Sequence, residues 1–493
     1  MNLPVVSSAE MRTAEEAAFA HGISPETLMN EAGTGIARAV QQFFPRSGHC
    51  LVFAGKGNNG GDALVAATRL KCLGWQTDVH LSFPEAECSE LLRKKISEFR
   101  DAAAVERAAN LPDPLVILDG LLGLGSKPPL RDPILSSCRE INRLRREQNA
   151  FVFAIDQPSG LDGDTGQADQ DCVVADFTVT IAAAKRGLVA DSAVNFVGRL
   201  EVIPLRELQL AHGGETVACA ASLQGLLPRR DFDAFKNQFG RIGIVAGSRG
   251  LIGAAILCAE GALRGGAGLV EVFVLDEIYS IVAAAAPAEA MIKPLSSYAK
   301  LQEEAAVDSW AVGPGLGKLH AQEILELLER IAKPMVVDAD ALNILSTNVG
   351  LLKASRGPRL LTPHPGEMKR LTRNQKASRA EIARSFTSQF PITLLLKGSR
   401  TVVAENGTRI SYNSSGNPAM ATGGMGDVLT GVCAALIGQK LSLFDAARVG
   451  AWVCGRSAEI ALFNNGASQQ SLLPRDVLEH LGRAFRDLQS AVA

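Results

Sequence analysis

Short runs of apolar residues alternate with helix-length segments along the first half of the chain. Five of these runs predict buried strands: Leu51–Ala54, Val79–Phe83, Val116–Leu118, Phe151–Ile155 and Phe177–Ile181. Continuous apolar runs separated by helices are typical of a parallel sheet with helices on both faces. The pattern therefore predicts a doubly wound α/β domain over residues 1–215.

Two helices are predicted ahead of this sheet. Ser7 and Glu10 have the spacing of a capping box, so a helix should follow Ser7 and end before Gly22. A second helix is predicted from Ser24-Pro25 to a point before Pro45. We hypothesise that this helix pair forms a dimer surface, which would make the protein a homo-oligomer.

The same alternation starts again near residue 241, after an irregular segment that is predicted to be a linker over residues 216–240. Six apolar runs predict the strands of a second sheet: Ile242–Ala246, Leu269–Val274, Trp310–Val312, Pro334–Val337, Leu360–Leu361 and Ile392–Leu396. A helical block is predicted over about 425–463. The two halves share no sequence repeat, so we expect two independent α/β domains, the second over residues 241–493.

Composition and charge narrow the class of protein. Of the 493 residues, 47% are hydrophobic and 21% are charged, and the formal net charge is −2. These values are typical of a globular protein and argue against nucleic acid or an anionic membrane as the main partner. No uncharged apolar stretch reaches the roughly 18 residues that a membrane span needs, and residues 1–10 lack a signal-peptide pattern. The 9 cysteines are dispersed along the chain, which indicates reduced thiols and not a disulfide framework. We therefore expect a soluble, cytoplasmic protein with small-molecule partners.

A glycine-rich loop, Gly55-Lys56-Gly57-Asn58-Asn59-Gly60-Gly61-Asp62, follows the first predicted strand of the first sheet. It satisfies the G-x-G-x-x-G pattern at the start of a helix. Glycines let the backbone approach a pyrophosphate, and the helix N-terminus offers N–H groups to it. Because this pattern alone is weak evidence, a tight turn without a ligand is the alternative.

Two further polar loops end predicted strands of the first domain. Asp119 precedes the glycine-rich segment 120–125, and Asp156 precedes a loop that contains Ser159. Each acid alone could cap a turn. In an open α/β sheet, however, ligands bind outside the carboxyl ends of the strands, so three such loops predict one shared site.

The donors in these loops indicate a hard cation and not a plain dehydrogenase site. Asn59, Asp119 and Ser159 offer amide, carboxylate and hydroxyl oxygens, which suit a hard cation better than zinc or iron. A dehydrogenase needs an acid about 20 residues beyond the glycines to hold a ribose, and Asp78 is the only fair candidate.

The sharpest candidate site in the second half is Gly423-Gly424-Met425-Gly426-Asp427. A glycine run that enters a helix presents free N–H groups as an anion hole, with Asp427 in the first turn beside it. The carboxylate can accept a proton from a hydroxyl while the N–H groups stabilise charge on a transferring phosphoryl group. A first-turn acid that only complements the helix dipole is the alternative.

Three other segments of the second half follow predicted strands. Lys397–Thr401 could hold a nucleotide phosphate or form a basic turn, and no P-loop pattern occurs in the chain. His364, between two prolines, could contact a ligand or lie on the surface. Asp338-Ala339-Asp340 fits the start of a helix, where an acid caps it or lies near a metal.

These motifs resemble two enzyme families. The segments Gly247–Gly250, Gly253–Ala255, Ala262–Val270, Gly313–Gly317, Pro363–Glu367 and Gly423–Leu429 resemble the ADP/ATP-dependent NAD(P)H-hydrate dehydratases. Asn58–Asp62, Asp119 and Asp156–Gly160 resemble the NAD(P)H-hydrate epimerases. The order of the two domains resembles the bacterial bifunctional NAD(P)H-hydrate repair enzymes.

For the first domain, the resemblance implies a Rossmann-like epimerase with a bound potassium ion. The implied contacts to the hydrated nucleotide are Asn58, Asn59, Gly60, Gly61, Asp62, Gly123, Leu124, Gly125, Ser126, Lys127, Pro128, Pro129 and Asp156. Asn59, Asp119 and Ser159 would bind the potassium. We hypothesise that Asp156 is the catalytic acid–base group. Leu124 stands where the family pattern has a threonine.

For the second domain, the resemblance implies a ribokinase-like fold that dehydrates the S hydrate with ADP, giving NAD(P)H, AMP and phosphate. Ala255, Gly315, His364 and Asp427 would contact the hydrate, with Asp427 as the catalytic base. The implied contacts to ADP are Lys397, Gly398, Ser399, Arg400, Thr401 and Gly426. Magnesium would bridge the nucleotide phosphates.

Two other functions stay compatible with the residues. A ribokinase-like kinase of a vitamin precursor would share the glycine–aspartate motif but would leave the N-terminal site unexplained. In the second, the N-terminal domain only senses nicotinamide nucleotides and catalyses no reaction. The choice of ADP over ATP rests on the family resemblance alone.

Overall fold

The computed structural model describes residues 3–105, 114–211, 213–304, 306–372 and 377–490. The chain divides into two compact units between Val217 and Ala218. Each unit contains an open sheet whose strands are connected by helices, so the doubly wound α/β architecture predicted for both halves is confirmed.

The N-terminal unit has a two-residue strand and two helices first, and it continues as a strand–helix alternation. Its elements are β1 (Val5–Val6), α1 (Ser8–Ala20), α2 (Pro25–Phe43), β2 (His49–Ala54), α3 (Asn58–Cys72), β3 (Gln76–Leu81), α4 (Glu90–Asp101), β4 (Leu115–Gly120), α5 (Ile134–Glu147), β5 (Phe151–Ile155), β6 (Phe177–Ile181), β7 (Ala184–Lys185), α6 (Arg186–Val189), α7 (Val194–Val197) and β8 (Arg199–Ile203). The predicted capping box at Ser7 and Glu10 is confirmed at the start of α1.

The main sheet of this unit has the strand order β3-β2-β4-β5-β6-β8, and all neighbours are parallel. The chain moves outward from β2 to β3 and then returns to place β4 on the other side of β2. At such a reversal the loops after the two central strands diverge and leave a crevice. The loops after Ala54 and Gly120 therefore face the same crevice.

From residue 215 onward, the elements build a second and larger sheet. They are β9 (Glu215–Ala218), α8 (Ala220–Leu223), β10 (Arg241–Val245), α9 (Ile252–Arg264), β11 (Leu269–Leu275), α10 (Asp276–Ala285), β12 (Ala290–Leu295), β13 (Ser309–Val312), α11 (Ala321–Arg330), β14 (Met335–Val337), α12 (Ala339–Leu345), β15 (Arg359–Leu361), α13 (Pro365–Thr372), α14 (Arg379–Gln389), β16 (Thr393–Leu396), β17 (Val402–Glu405), β18 (Arg409–Asn413), α15 (Met425–Gly438), α16 (Leu443–Asn464) and α17 (Pro474–Ser490).

This sheet has the order β12-β11-β10-β13-β14-β15-β16-β17-β18-β9. The strands from β12 to β16 are parallel, and the reversal of strand order lies between β10 and β13. No strand was predicted at β17 or β18, and β17 pairs antiparallel with both β16 and β18. The segment Lys397–Thr401 is too short for a parallel crossover, which needs a dozen or more residues, so it forms a ββ turn.

The helix that carries Asp427 is the central helix of the second unit. From Val428 to Gly438 every residue of α15 is buried. Gly431 lets α15 approach α9 closely, because a Cβ atom there would clash with the carbonyl oxygen of Cys258. The segment predicted as a linker contributes Ala218 and Leu223 to this same core. Among the described residues, no helix combines the length and apolar character that crossing a bilayer requires.

Candidate active sites

A cavity of about 520 Å³ opens at the crevice of the first sheet. The glycine-rich loop, the loop after β4, the helices α1 and α2, and two buried charged residues all line it. The lining includes Met11, Arg12, Glu15, Leu28, Met29, Lys56, Asn58, Asn59, Asp62, Leu122, Gly123, Leu124, Asp156 and Lys185. A mixed apolar and polar cavity at a sheet reversal is the usual form of a small-molecule site in this architecture.

The glycine-rich loop contributes to this cavity in two ways. Asn58 and Asn59 line it at the first turn of α3, where free N–H groups favour an anion, and Asp62 lines it just beyond that turn. Gly60 and Gly61 are not among the cavity-lining residues, and both are buried. A Cβ atom on Gly60 would clash with the carbonyl oxygen of Gly55, and one on Gly61 with the side chain of Met29. These two glycines therefore allow α3 to pack closely, and their contact with a ligand stays a prediction.

The loop after β4 reaches the cavity with its first residues only. Gly123 and Leu124 line the cavity. Ser126 is buried, and its hydroxyl accepts a hydrogen bond from Gly160 N at 3.3 Å, which ties this loop to the loop after β5. The other predicted contact residues of this loop are exposed or half-buried: Gly125, Lys127, Pro128 and Pro129.

The structure brings together two of the three predicted cation ligands directly. Asp119 is fully buried, and its carboxylate accepts hydrogen bonds from Ser159 Oγ at 2.7 Å and from Ser159 N at 2.9 Å. Burial raises the pKa of Asp119 to about 6, against the opposing effect of these bonds. Among the described residues, no basic side chain forms an ion pair with Asp119. Asn59 lies against Gly123, and its Nδ2 atom is buried without a hydrogen-bond partner.

Asp156 lies in a charged cluster that the sequence motifs did not reveal. It is buried and adopts a left-handed backbone conformation with φ of 66°, which is uncommon for a residue other than glycine. Lys185, also buried, donates from Nζ to Asp156 Oδ1 and to Thr180 Oγ1. Burial, followed by repulsion from Asp156, raises the pKa of both Glu15 and Asp62 above their ordinary values. Three carboxyl groups and one lysine therefore face one cavity, an arrangement suited to proton transfer.

In the second unit, hydrogen bonds join the loops at the carboxyl edge of the sheet. Gly247 N donates to Pro314 O at 2.8 Å, which links the loops after β10 and β13. Lys397 N donates to Pro363 O at 2.8 Å, which links the turn after β16 to the segment before α13. The loops that carry the predicted hydrate and nucleotide contacts thus lie along one edge.

Small residues and one oriented histidine occupy the predicted hydrate positions. Ala255 is buried in the first turn of α9. Gly315 has φ of 62°, and a Cβ atom there would lie 2.8 Å from Leu251 O, so a larger residue does not fit. His364 Nδ1 accepts a hydrogen bond from Gly366 N at 3.0 Å, which orients the half-exposed ring at the start of α13.

Asp427 lies in the first turn of α15 beside the glycine run. Gly424, the N-cap residue, has φ of 90°, and a Cβ atom there would lie 2.7 Å from Leu257 Cδ1, so glycine is required. Burial and the charge of Asp338 raise the pKa of Asp427 to about 7, while Lys397 opposes the rise. A carboxyl group with this pKa can accept a proton at neutral pH.

The predicted nucleotide residues form the turn between β16 and β17 and meet the start of α15. Gly398 and Arg400 have φ of 145° and 55°, and Thr401 Oγ1 donates to Gly398 O at 3.1 Å. Ser399 is exposed at the tip of the turn. Lys397 Nζ lies 3.2 Å from the position of a Cβ atom on Gly426. In the part of the chain that the structure describes, no group of three or more His, Cys, Asp or Glu side chains is placed to hold a metal.

Two family models match the chain, one in each unit. Residues 25–187 match the YjeF-related protein N-terminus, and residues 242–482 match NAD(P)H-hydrate dehydratase. The bifunctional NAD(P)H-hydrate repair enzyme Nnr of Moorella thermoacetica is 36% identical over 529 residues, with 99% of this chain and 98% of the relative covered. The Nnr of Escherichia coli strain K12 is 33% identical, with 96% and 92% covered.

The chain belongs to the bifunctional NAD(P)H-hydrate repair enzyme family. The family predicted from the motifs is therefore confirmed, with a dehydratase match in the C-terminal unit. Among solved structures, the chain is similar to the ADP/ATP-dependent NAD(P)H-hydrate dehydratase of Bacillus subtilis, co-crystallised with ATP/Mg2+. The identity is 27%, with 55% of this chain and 98% of that chain covered and a TM-score of 0.49.

Proposed function

We propose that this protein repairs hydrated NADH and NADPH with two catalytic sites. The N-terminal unit interconverts the R and S hydrates, and the C-terminal unit dehydrates the S hydrate with ADP, giving NAD(P)H, AMP and phosphate. The observation that carries the proposal is Asp427, a half-buried base beside a glycine-rich helix start, in a chain that its repair-enzyme relatives match over almost its whole length. A vitamin-precursor kinase would explain only the second of the two units.

In the dehydratase site, Asp427 accepts the proton of the hydroxyl on carbon six of the hydrated ring. The hydroxyl oxygen then attacks the β-phosphorus of ADP, and the bond from that phosphorus to the bridging oxygen breaks, so AMP leaves with the bonding electrons. Phosphate next leaves carbon six with its electron pair, and carbon five loses a proton. The new double bond between these carbons restores the reduced nicotinamide ring.

We assign the nucleotide and hydrate contacts in this unit to loops that lie along the carboxyl edge of its sheet. Lys397, Gly398, Ser399, Arg400, Thr401 and Gly426 would hold ADP, and Ala255, Gly315 and His364 would contact the hydrate. Magnesium would neutralise the nucleotide phosphates. Because the described residues offer no cluster of three or more His, Cys, Asp or Glu side chains, we propose that the ion enters bound to the nucleotide.

In the epimerase site, Asp156 acts as the acid–base group, and Lys185 holds its carboxyl group in a buried ion pair. Asn58, Asn59, Gly60, Gly61, Asp62 and Gly123 to Pro129 would hold the hydrated nucleotide. Potassium would be bound by Asn59, Asp119 and Ser159 and would supply a fixed positive charge beside the loop after β4. The buried Asp119 carboxylate, without a basic partner among the described residues, fits such a cation.

We further propose that the protein is a homo-oligomer and is located in the cytoplasm.

The test compares Asp427→Asn with a control change of the same chemistry. Glu381, an exposed acid in the first turn of α14, forms a capping box that glutamine can also form, so Glu381→Gln is the matched control. With the S hydrate and ADP, recovery of the reduced-ring absorbance should fall by about 10²–10⁴-fold in Asp427→Asn and stay unchanged in Glu381→Gln. Epimer interconversion should persist in both. Near-normal dehydration by Asp427→Asn would reject Asp427 as the base.

A further inference from the structure

Asp338, at the carboxyl end of β14, is buried and uses its side chain in an unusual way. It is the N-cap residue of α12, where an aspartate ordinarily accepts a hydrogen bond from the first turn, yet its side chain makes no capping bond. Asp338 Oδ1 instead accepts from Lys397 Nζ at 2.7 Å, and Oδ2 accepts from Thr430 Oγ1 at 2.9 Å. Both carboxylate oxygens are thus directed away from the helix that the residue begins.

The backbone beside Asp338 adopts a costly conformation. The next residue, Ala339, has φ of 49°, in the left-handed region that residues with a Cβ atom seldom occupy. Such strain persists only where the surrounding contacts hold it, and it is concentrated at functional sites.

The two partners of Asp338 belong to the two halves of the dehydratase site. Thr430 lies three residues after Asp427 on α15, and Lys397 begins the proposed nucleotide turn. A Cβ atom on Gly426 would lie 3.2 Å from Lys397 Nζ and 3.4 Å from Asp338 Oδ2, so the first turn of α15 packs on the ion pair. Asp338 therefore connects the catalytic helix to the nucleotide turn.

Lys397 forms its ion pair with Asp338, and the charges of two other carboxyl groups also act on it. Burial lowers the pKa of Lys397, but the charges of Asp338, Glu367 and Asp427 outweigh burial and raise it. The groups that act on Asp427 are Asp338 and Asp340 from the start of α12 and Lys397 from the end of β16. On α9, burial and the charge of Asp427 raise the pKa of the Cys258 thiol. An ammonium group bound to Asp427 would compete with the substrate proton for its carboxylate.

We propose that Asp338 is a positioning residue of the dehydratase site. It retains the Lys397 ammonium group through an ion pair and anchors α15 through Thr430, so that Asp427 stays available as a base beside the nucleotide turn. This inference rests on the proposed function and adds a residue that acts through Lys397 and Asp427.

The first test measures kcat and KM of Asp338→Asn in the full-length protein between pH 5.5 and 9, with the S hydrate and ADP. We expect kcat to fall by about 10–100-fold. The acidic limb of the kcat/KM pH profile should also move to lower pH. The reason is that Asp427 loses a negatively charged neighbour and comes closer to the ammonium group of the released Lys397. The fluorescence of Trp310 and Trp452, which are buried in the C-terminal unit, reports that this unit is folded. A kcat within twofold of the wild type, or a lower kcat with an unmoved acidic limb, would overturn the proposal.

Thr430 supplies a matched pair of variants for the anchor. Thr430→Val removes the hydroxyl and should lower kcat several-fold without moving the acidic limb, while Thr430→Ser keeps the hydroxyl and should restore kcat to within about twofold of the wild type. Equal loss in both variants would refute the anchor.

Binding of ADP, measured by calorimetry, separates this inference from the proposed function. A released Lys397 should weaken ADP binding by about tenfold in Asp338→Asn even if no turnover is found. An unchanged Kd would contradict the role of Asp338. Absence of turnover in the wild type would instead reject the proposed dehydratase reaction.

Discussion

Asp427→Asn should stabilise the C-terminal unit while it removes activity. In the folded protein, burial and Asp338 raise the pKa of Asp427 from its ordinary value of 3.8 to about 7. A group whose pKa is raised on folding costs stability wherever it is ionised in the folded state. At pH 8 the carboxylate is ionised in both states, so the folded protein bears the whole cost. Asparagine, which stays neutral, avoids it.

The size of the effect follows from the pKa. A rise from 3.8 to about 7 corresponds to about 4 kcal/mol at pH 8, which is an upper value because the side chain is only partly buried. At pH 5 the folded protein has Asp427 protonated, and the cost falls to about 2 kcal/mol. The stability advantage of Asp427→Asn should therefore be roughly twice as large at pH 8 as at pH 5.

Urea unfolding monitored by tryptophan fluorescence can measure this difference. Of the 3 tryptophans, Trp75 lies in the N-terminal unit, while Trp310 and Trp452 are buried in the C-terminal unit. In a Trp75→Phe background, the fluorescence change reports the C-terminal unit alone. A variant that is no more stable than its parent at pH 8, or an advantage that does not change with pH, would refute the assigned electrostatics of Asp427.

Three further outcomes are expected. Lys185→Met should reduce epimer interconversion by at least about 100-fold and leave dehydration of the S hydrate intact, because Asp156 loses its buried partner. The control is Lys94→Met, which removes an exposed ion pair with Glu26, and equal loss of both activities in Lys185→Met would count against the role of Lys185. Exchange of potassium for choline at constant ionic strength should slow the epimerase and not the dehydratase, as separate rate assays would show. Gly424→Ala should lower the free energy of unfolding by about 1–3 kcal/mol, because φ is 90° and Leu257 is close, whereas Gly423→Ala, with open space at its Cβ position, should cost less in the same urea assay.

The hydrophobic pattern predicted the sheets well because strands in a buried parallel sheet are continuous apolar runs. The predicted strands Phe151–Ile155 and Phe177–Ile181 match the structure residue for residue. The hairpin strand Val402–Glu405 was not predicted, since a short run after a tight turn carries no periodic signal. The helical block predicted over about 425–463 is two helices, because Ser442 caps a new one.

The catalytic surroundings were less predictable because they depend on pairs of residues far apart in sequence. Lys185 follows three alanines and has no motif, yet it binds Asp156, 29 residues earlier. Asp338 could be predicted to start a helix, but its partner Lys397 lies 59 residues away, and the strand order brings them together. The sequence likewise did not distinguish Gly60 and Gly61, which are packed, from Asn58 and Asn59, which line the cavity.

The most direct test of the proposed function incubates the wild-type protein with a mixture of the R and S hydrates of NADH, together with ADP and magnesium, in the presence of potassium. We predict that the absorbance of the reduced ring returns for the whole mixture, with one AMP and one phosphate formed for each NADH. Recovery of the S hydrate alone would contradict the epimerase assignment. No recovery of either epimer would contradict repair of the hydrated nucleotide altogether.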